Sequence, residues 1–216
     1  MITPQKVAQA LLKIGAVGFK PDAPITFKSG IISPVYVDNR KFPFYPHEWS
    51  LIIEGFKELL EQNNIVYDVI AGIETAGIPH SAALGFALHQ PSIFIRKKIK
   101  DHGTKSKIEG GAVAGKKVVL LEDLVTTGGS SLAGVEALRE ERAIVQDCII
   151  IISYGFKESL RAFADAGVKL HSLTTFPIVL EEAYKLNMFT AEQKILIEEW
   201  FQDPWNWGKE HGFVTK

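Results

Sequence analysis

Residues 118–131, Val-Val-Leu-Leu-Glu-Asp-Leu-Val-Thr-Thr-Gly-Gly-Ser-Ser, limit what this chain can become more than any other stretch. Four consecutive aliphatic residues read as a strand buried on both faces, which is the pattern of a parallel sheet. Glu122 and Asp123 stand where that strand is expected to end. Thr126, Thr127, Gly128, Gly129 and Ser130 then form a turn of small residues, and 132–138 return to helical spacing. Each part has a chemical use. Hydroxyls and bare N–H groups in 126–130, followed by a helix start, suit a phosphate. Glycine lets the backbone approach a ligand with no Cβ in the way. Paired acids at the carboxyl end of a strand can accept hydrogen bonds from a sugar diol, and that end is where open α/β sheets bind ligands. A Walker-type phosphate loop is excluded, because no Gly-Lys-Ser/Thr occurs at the required spacing.

The rest of the chain agrees with such a sheet. Thr3 followed by Pro4 predicts a helix start. Short strands over 25–30 and 33–38 suggest a hairpin-like hood. A helix is expected over 48–62. From residue 66 strands and helices alternate: strand 69–73, helix to 88, strand 92–96, the stretch above with its helix to about 142, strand 145–154, helix 158–166 and strand 170–175. Pro177 opens a further helix, and Thr190 with Gln193 forms a capping box for another ending near Trp200. Alternation of this kind implies an α/β fold with a mainly parallel sheet and right-handed crossovers. We expect one domain over 1–216, with its core at about 64–176 and a hood at about 1–45 completed by the C-terminal helices. The aromatic tail, 203–208, is expected to pack on the body or on a partner subunit.

A net charge of −1 gives no general attraction to nucleic acid or anionic membrane. The single cysteine, Cys148, lies in an aliphatic run and is expected to be a buried packing residue. The first residues lack a secretory signal's pattern, and no apolar run reaches membrane-spanning length. These features lead to the expectation of a reducing, cytoplasmic setting.

The second informative stretch is 96–107, Arg-Lys-Lys-Ile-Lys-Asp-His-Gly-Thr-Lys-Ser-Lys, with six Lys or Arg against one acid. It belongs to a segment, 97–115, with almost no apolar periodicity. A basic tract is often only a solvated charge run. Between two core strands, a loop this long is more often a functional lid. A cationic lid can close over a pyrophosphate and stabilise charge on a leaving group. Contact with nucleic acid ranks lower, because no aromatics are interleaved to stack bases.

The stretch 118–131 resembles the phosphoribosyl-pyrophosphate (PRPP) signature of the type I phosphoribosyltransferases. Three further stretches narrow the resemblance to the orotate phosphoribosyltransferase family. Arg-Lys-Lys-x-Lys-x-His-Gly from Arg96 is similar to that family's catalytic loop. Phe27-Lys28-Ser29-Gly30-Ile31-Ile32-Ser33-Pro34 is similar to its hood, and Glu74-Thr75-Ala76-Gly77-Ile78-Pro79 to its pyrophosphate loop. The four occur in the family's order.

The resemblance implies transfer of a phosphoribosyl group from PRPP to orotate. It implies PRPP contacts from Arg96, Lys97, Lys100 and His102 to the pyrophosphate, with Thr75, Ala76 and Gly77 contributing backbone. Glu122 and Asp123 would take the ribose hydroxyls. The run Leu124, Val125, Thr126, Thr127, Gly128, Gly129 and Ser130 would take the 5'-phosphate. Lys100, His102 and Asp123 are the expected catalytic residues, with Lys100 nearest the departing charge. Orotate contacts are expected from Thr126 and Lys28. The resemblance also implies Mg2+ held mainly by the substrate rather than by a protein metal site, and a homodimer whose lid loop enters the neighbour's site. A separate orotidine 5'-monophosphate decarboxylase is an expected partner; nucleic acid and membrane are not. Some branches of the family use an arginine on orotate where this chain has Phe156, so Arg40 is our candidate for the orotate carboxylate. Two alternatives stay open: a non-catalytic PRPP-sensing regulator on the same fold, and the same transfer to another base. Histidines 47, 80, 89, 171 and 211 carry no motif and are read as structural.

Overall fold

A computed structural model describes residues 1–27, 29–97 and 106–213. The chain begins with helix α1 (Pro4–Lys13), capped by the Thr3 hydroxyl, which accepts from the Lys6 N–H at 3.3 Å. Four short strands follow: β1 (Val17–Phe19), β2 (Ile25–Thr26), β3 (Ile32–Ser33) and β4 (Val35–Val37). A 3-10 turn (Asn39–Phe44) leads into α2 (Pro46–Gln62). The alternating part is β5 (Val69–Ile73), α3 (Gly77–Leu88), β6 (Ser92–Ile95), β7 (Ile108–Glu109), β8 (Lys117–Val125), α4 (Gly129–Glu140), β9 (Ile144–Ser153), α5 (Lys157–Asp165) and β10 (Lys169–Thr175). Helices α6 (Phe176–Lys185), α7 (Ala191–Gln202) and α8 (Trp207–Glu210) close the chain.

Six strands form the main sheet in the order β10-β9-β8-β5-β6-β7, parallel except for the β6–β7 pair. The α/β expectation therefore holds. From β5 the chain winds outward to β6 and β7, then returns to the other side of β5 as β8. The β5–β8 boundary is thus the point where winding reverses, and its carboxyl end is the natural ligand crevice. Alternation along β8 sorts its side chains. Val119 and Leu121 pack with α1, α2 and α6, while Val118 and Leu120 pack with α4 and α5.

The structure corrects three details and bears out a fourth, the packing of the tail on the body. The acids do not end their strand: β8 continues through Val125. The hood is two ribbons rather than one hairpin. Chain 33–38 is interrupted at Pro34, which has no N–H to give a ladder; β3 pairs with β2, and β4 pairs with β1. The segment after β6 is not wholly irregular, since β7 pairs with β6 (Phe94 opposite Glu109, Ile95 opposite Ile108). The tail forms α8, with Trp207 buried and Gly208 against Ile32 of the hood, where a Cβ would come within 2.7 Å of that side chain. The capping box at Thr190 and Gln193 is formed as expected. Cys148 is fully buried. Among the described residues, no helix is long and apolar enough to cross a membrane.

Candidate active site at the sheet's winding reversal

The crevice opens because β8 outruns β5. Pairing between them stops at Gly72 opposite Leu121, whereas β8 stays paired with β9 as far as Val125 opposite Ser153. Glu122 and Asp123 therefore sit in a strand secured on one side and free on the other. Their side chains leave on opposite faces. Glu122 meets Ser130 at the start of α4, whose Oγ donates to Oε2 at 3.5 Å. Asp123 meets Asn39, whose Nδ2 donates to the Asp123 carbonyl at 3.1 Å and to Oδ2 at 3.3 Å.

Both acids are shifted toward the neutral form. Burial raises Glu122 to about 9, the charge of Asp123 adds to this, and Lys97 partly opposes it. Burial also raises Asp123, opposed by hydrogen bonds from Glu122 and Asn39 and by the charge of Arg40. Two adjacent carboxylates in a poorly solvated crevice resist being ionised together.

Beyond Val125 the chain enters a left-handed turn at Gly128 (φ 87°), and α4 begins at Gly129. Only glycine adopts that conformation cheaply, and a Cβ there would also lie 3.0 Å from Phe163. The N–H groups of Thr127, Gly128, Gly129 and Ser130 donate to no other group among the described residues. Four free donors at a helix start make an anion cradle. A cleft of about 350 Å3 lies over it, lined by Phe27, Ser29 and residues 124–131. The hood thus forms one wall of the crevice.

A second cleft, of about 160 Å3, shares Ser130 and is lined by Arg96, Lys97 and Lys107 together with Ile73, Ile95, Ala133 and Gly134. Backbone bonds hold these cations at the strand ends. Arg96 N–H donates to the Lys107 carbonyl at 2.8 Å, Lys97 N–H to Glu74 Oε2 at 2.8 Å, and Glu74 N–H to the Ile95 carbonyl at 2.9 Å. Arg96 Nη1 stands 3.6 Å from Glu109. Thr75 and Ala76 form the turn before α3, and Gly77 begins it; a Cβ on Gly77 would come within 2.6 Å of the Leu121 carbonyl. Arg96, Lys97, the 74–77 turn, Glu122, Asp123 and 124–130 therefore converge on one end of the sheet.

Arg40 makes an ion pair with Asp38 at 2.6 Å and is largely exposed; its guanidinium holds the Asp38 carboxyl below the usual range. Phe156 lies in an aromatic cluster, stacked on Tyr154 with centroids 5.6 Å apart. Lys28, Lys100 and His102 lie outside the described residues. His80 is buried, accepts from Trp49 Nε1 at 2.9 Å through Nδ1, and is held neutral by burial, which lowers it to about 4. His171 pairs with Asp147 at 2.8 Å. Sequence reasoning missed Lys107 and Asn39. Lys107 lay in the basic tract, but nothing local separates it from its neighbours. Asn39 adjoined the candidate Arg40, and only its contact with Asp123 sets it apart.

Acids beside an anion cradle, facing a cationic cleft across the winding reversal, suit a phosphorylated sugar that carries a second anionic group. The phosphoribosyl transferase domain family matches residues 47–180. The orotate phosphoribosyltransferase of Listeria monocytogenes serotype 4b (strain F2365) is 42% identical over 205 residues, 95% of this chain and 98% of that protein. The crystal structure of orotate phosphoribosyltransferase from Aeropyrum pernix superposes with a TM-score of 0.73 at 30% identity, covering 85% of this chain and 99% of that one. Leishmania donovani UMP synthase superposes with a TM-score of 0.80 at 25% identity, covering 92% of this chain but only 42% of that one. The chain belongs to the orotate phosphoribosyltransferase family of glycosyltransferases.

Proposed function

We propose that this chain transfers the 5-phosphoribosyl group of PRPP to orotate, forming orotidine 5'-monophosphate and pyrophosphate on the route to UMP. The observation that carries the proposal is the pair of adjacent acids, Glu122 buried and Asp123 half-buried, a few residues before four free N–H donors, within a family whose curated members bear the orotate name. In this reading the 5'-phosphate occupies the 126–130 cradle. Glu122 and Asp123 accept from the ribose hydroxyls. Arg96, Lys97 and the 75–77 backbone take the pyrophosphate, joined by Lys100 and His102 from the lid loop. Thr126, Lys28 and Arg40 face orotate.

The C1–O bond breaks with its electron pair leaving on pyrophosphate. Orotate nitrogen supplies the new pair to C1, through a ribose with oxocarbenium-like charge. The negative charge of orotate sits on its carboxylate, so the N–H proton leaves as the nitrogen–C1 bond forms, and the departing pyrophosphate oxyanion takes it up; no strong base is required from the chain. The work left to this chain is positioning, leaving-group stabilisation and exclusion of water. Mg2+ suits this site as a companion of the substrate, since the acids are engaged by the ribose; held mainly by PRPP oxygens, it would neutralise phosphate charge. A homodimer with the lid acting in trans belongs to the same reading. Helix α3 is apolar on most sides, and Phe86 on it is 83% exposed, a surface that a second copy would cover.

The test is loss of orotate absorbance with PRPP and Mg2+, run beside uracil, hypoxanthine and adenine. Orotate should be consumed far faster than the others. Preference for another base would move the assignment, and PRPP binding without turnover of any base would favour a regulator. Lys100→Ala should lose at least about 100-fold in kcat, the scale of a lost charge-stabilising donor, while still binding PRPP in a calorimetric titration. Unchanged turnover would remove the lid from the mechanism.

A further inference from the structure

Asn39 is fully buried where the turn after β4 meets the end of β8. Its amide makes two contacts, both to oxygens of Asp123, so Nδ2 must face them. The backbone on either side is tied down independently. Asp38 N–H donates to the Ala16 carbonyl at 2.7 Å, and the Asp38 carboxylate accepts from Arg40 N–H at 3.3 Å. Lys41 Nζ donates to the Gly15 carbonyl at 2.6 Å. Phe42 is buried, edge-on to His80. A side chain held this firmly is not simply filling space beside an acid.

We propose that Asn39 is a positioning residue, a two-point clamp that fixes the Asp123 carboxylate in the orientation needed to accept a ribose hydroxyl. The inference rests on the reading of Asp123 given under Proposed function. One contact is to the main chain and one to a single carboxylate oxygen, so the amide fixes the rotation of the Asp123 side chain. The carboxylate keeps acceptor capacity for a sugar. The same donor favours the ionised form of Asp123, the better acceptor. The clamp also joins the acid to the hood, since Asn39 directly follows β4 and Asp38.

Asn39→Asp keeps the shape but sets an acceptor against two acceptors; Asn39→Ala removes the group. In both, kcat/KM for PRPP should fall about 30- to 100-fold, the scale of a misplaced reacting group, while KM for orotate stays within about twofold. Thermal melts would be recorded alongside. Values for PRPP within threefold of the parent in either folded variant would overturn the proposal. Equal losses for both substrates, or failure of both variants to fold, would overturn it too, by making Asn39 a residue that merely supports the hood. If the parent protein does not convert orotate at all, the proposed function fails first, and the two failures are thereby told apart.

Discussion

Gly77→Ala should melt well below the parent protein, by about 2–12 °C, and lose at least about tenfold in kcat/KM for PRPP. Gly77 opens α3, and a Cβ there would stand 2.6 Å from the Leu121 carbonyl. The opposing position is equally tight, because a Cβ on Gly72 would come within 2.2 Å of Ser81 Oγ and 2.7 Å of the Gly77 carbonyl. Neither backbone obstacle can rotate aside, so α3 must lift from the sheet. Forced overpacking costs about 1–3 kcal/mol, and each kcal/mol moves Tm by about 2–4 °C in a chain of this size. The lift also displaces the 74–77 turn from the crevice, which is why activity falls with stability. Gly129→Ala is the control: a Cβ there meets nothing within 4 Å, so its melting point should stay near the parent's. Differential scanning calorimetry of the two variants decides the matter, and a parental melt for Gly77→Ala would refute the packing account.

Glu122→Gln should do the reverse, giving up activity and gaining stability at alkaline pH. In the folded, ligand-free protein Glu122 is raised to about 9 from an ordinary 4.5, chiefly by burial. Between those values the native state keeps a proton that the unfolded chain has released. Stability from this group is therefore complete below about 4.5 and drains away as pH climbs through about 9. Glutamine imitates the protonated acid and does not titrate. The variant should match the parent near pH 4 and exceed it by a margin that widens steadily as pH rises, reaching at least several degrees in Tm at pH 8.5. Glutamine cannot give up a proton to become a charged acceptor when the ribose hydroxyl arrives, which should cost about 1.5–3 kcal/mol of binding, or about 10- to 100-fold in kcat/KM for PRPP. Melting curves from pH 4 to 9 check the first part; a difference that stays constant with pH would show that Glu122 is not buried with its proton.

The elements read correctly from sequence were those whose signals are local. Thr3 with Pro4, Thr190 with Gln193, and the aliphatic run 118–121 each report on neighbours a few residues away, and each is formed. The errors arose where the partner is distant. Nothing near Val35 says that β4 will pair with β1 rather than β2, because an apolar alternation names a face and not a neighbour. The acids looked terminal because charges usually stop a buried strand. They are tolerated inside β8 because β5 has already ended beside them. The aromatic tail had no signal for its docking place, since Trp207 and Gly208 fit against a hood some 175 residues earlier in the chain.

Chemical type was written along the chain itself: a run of small residues can cradle an anion, paired acids can accept from a diol, and clustered cations can hold a pyrophosphate, because each of these properties belongs to consecutive side chains and their backbone. Folding in space decided what no run of residues contains. It placed Asn39 on Asp123 across 84 positions, cleared one flank of β8 by stopping β5 short, and buried Glu122 until it held a proton. Those outcomes depend on which strands and turns meet, and that is settled only when the distant surfaces pack.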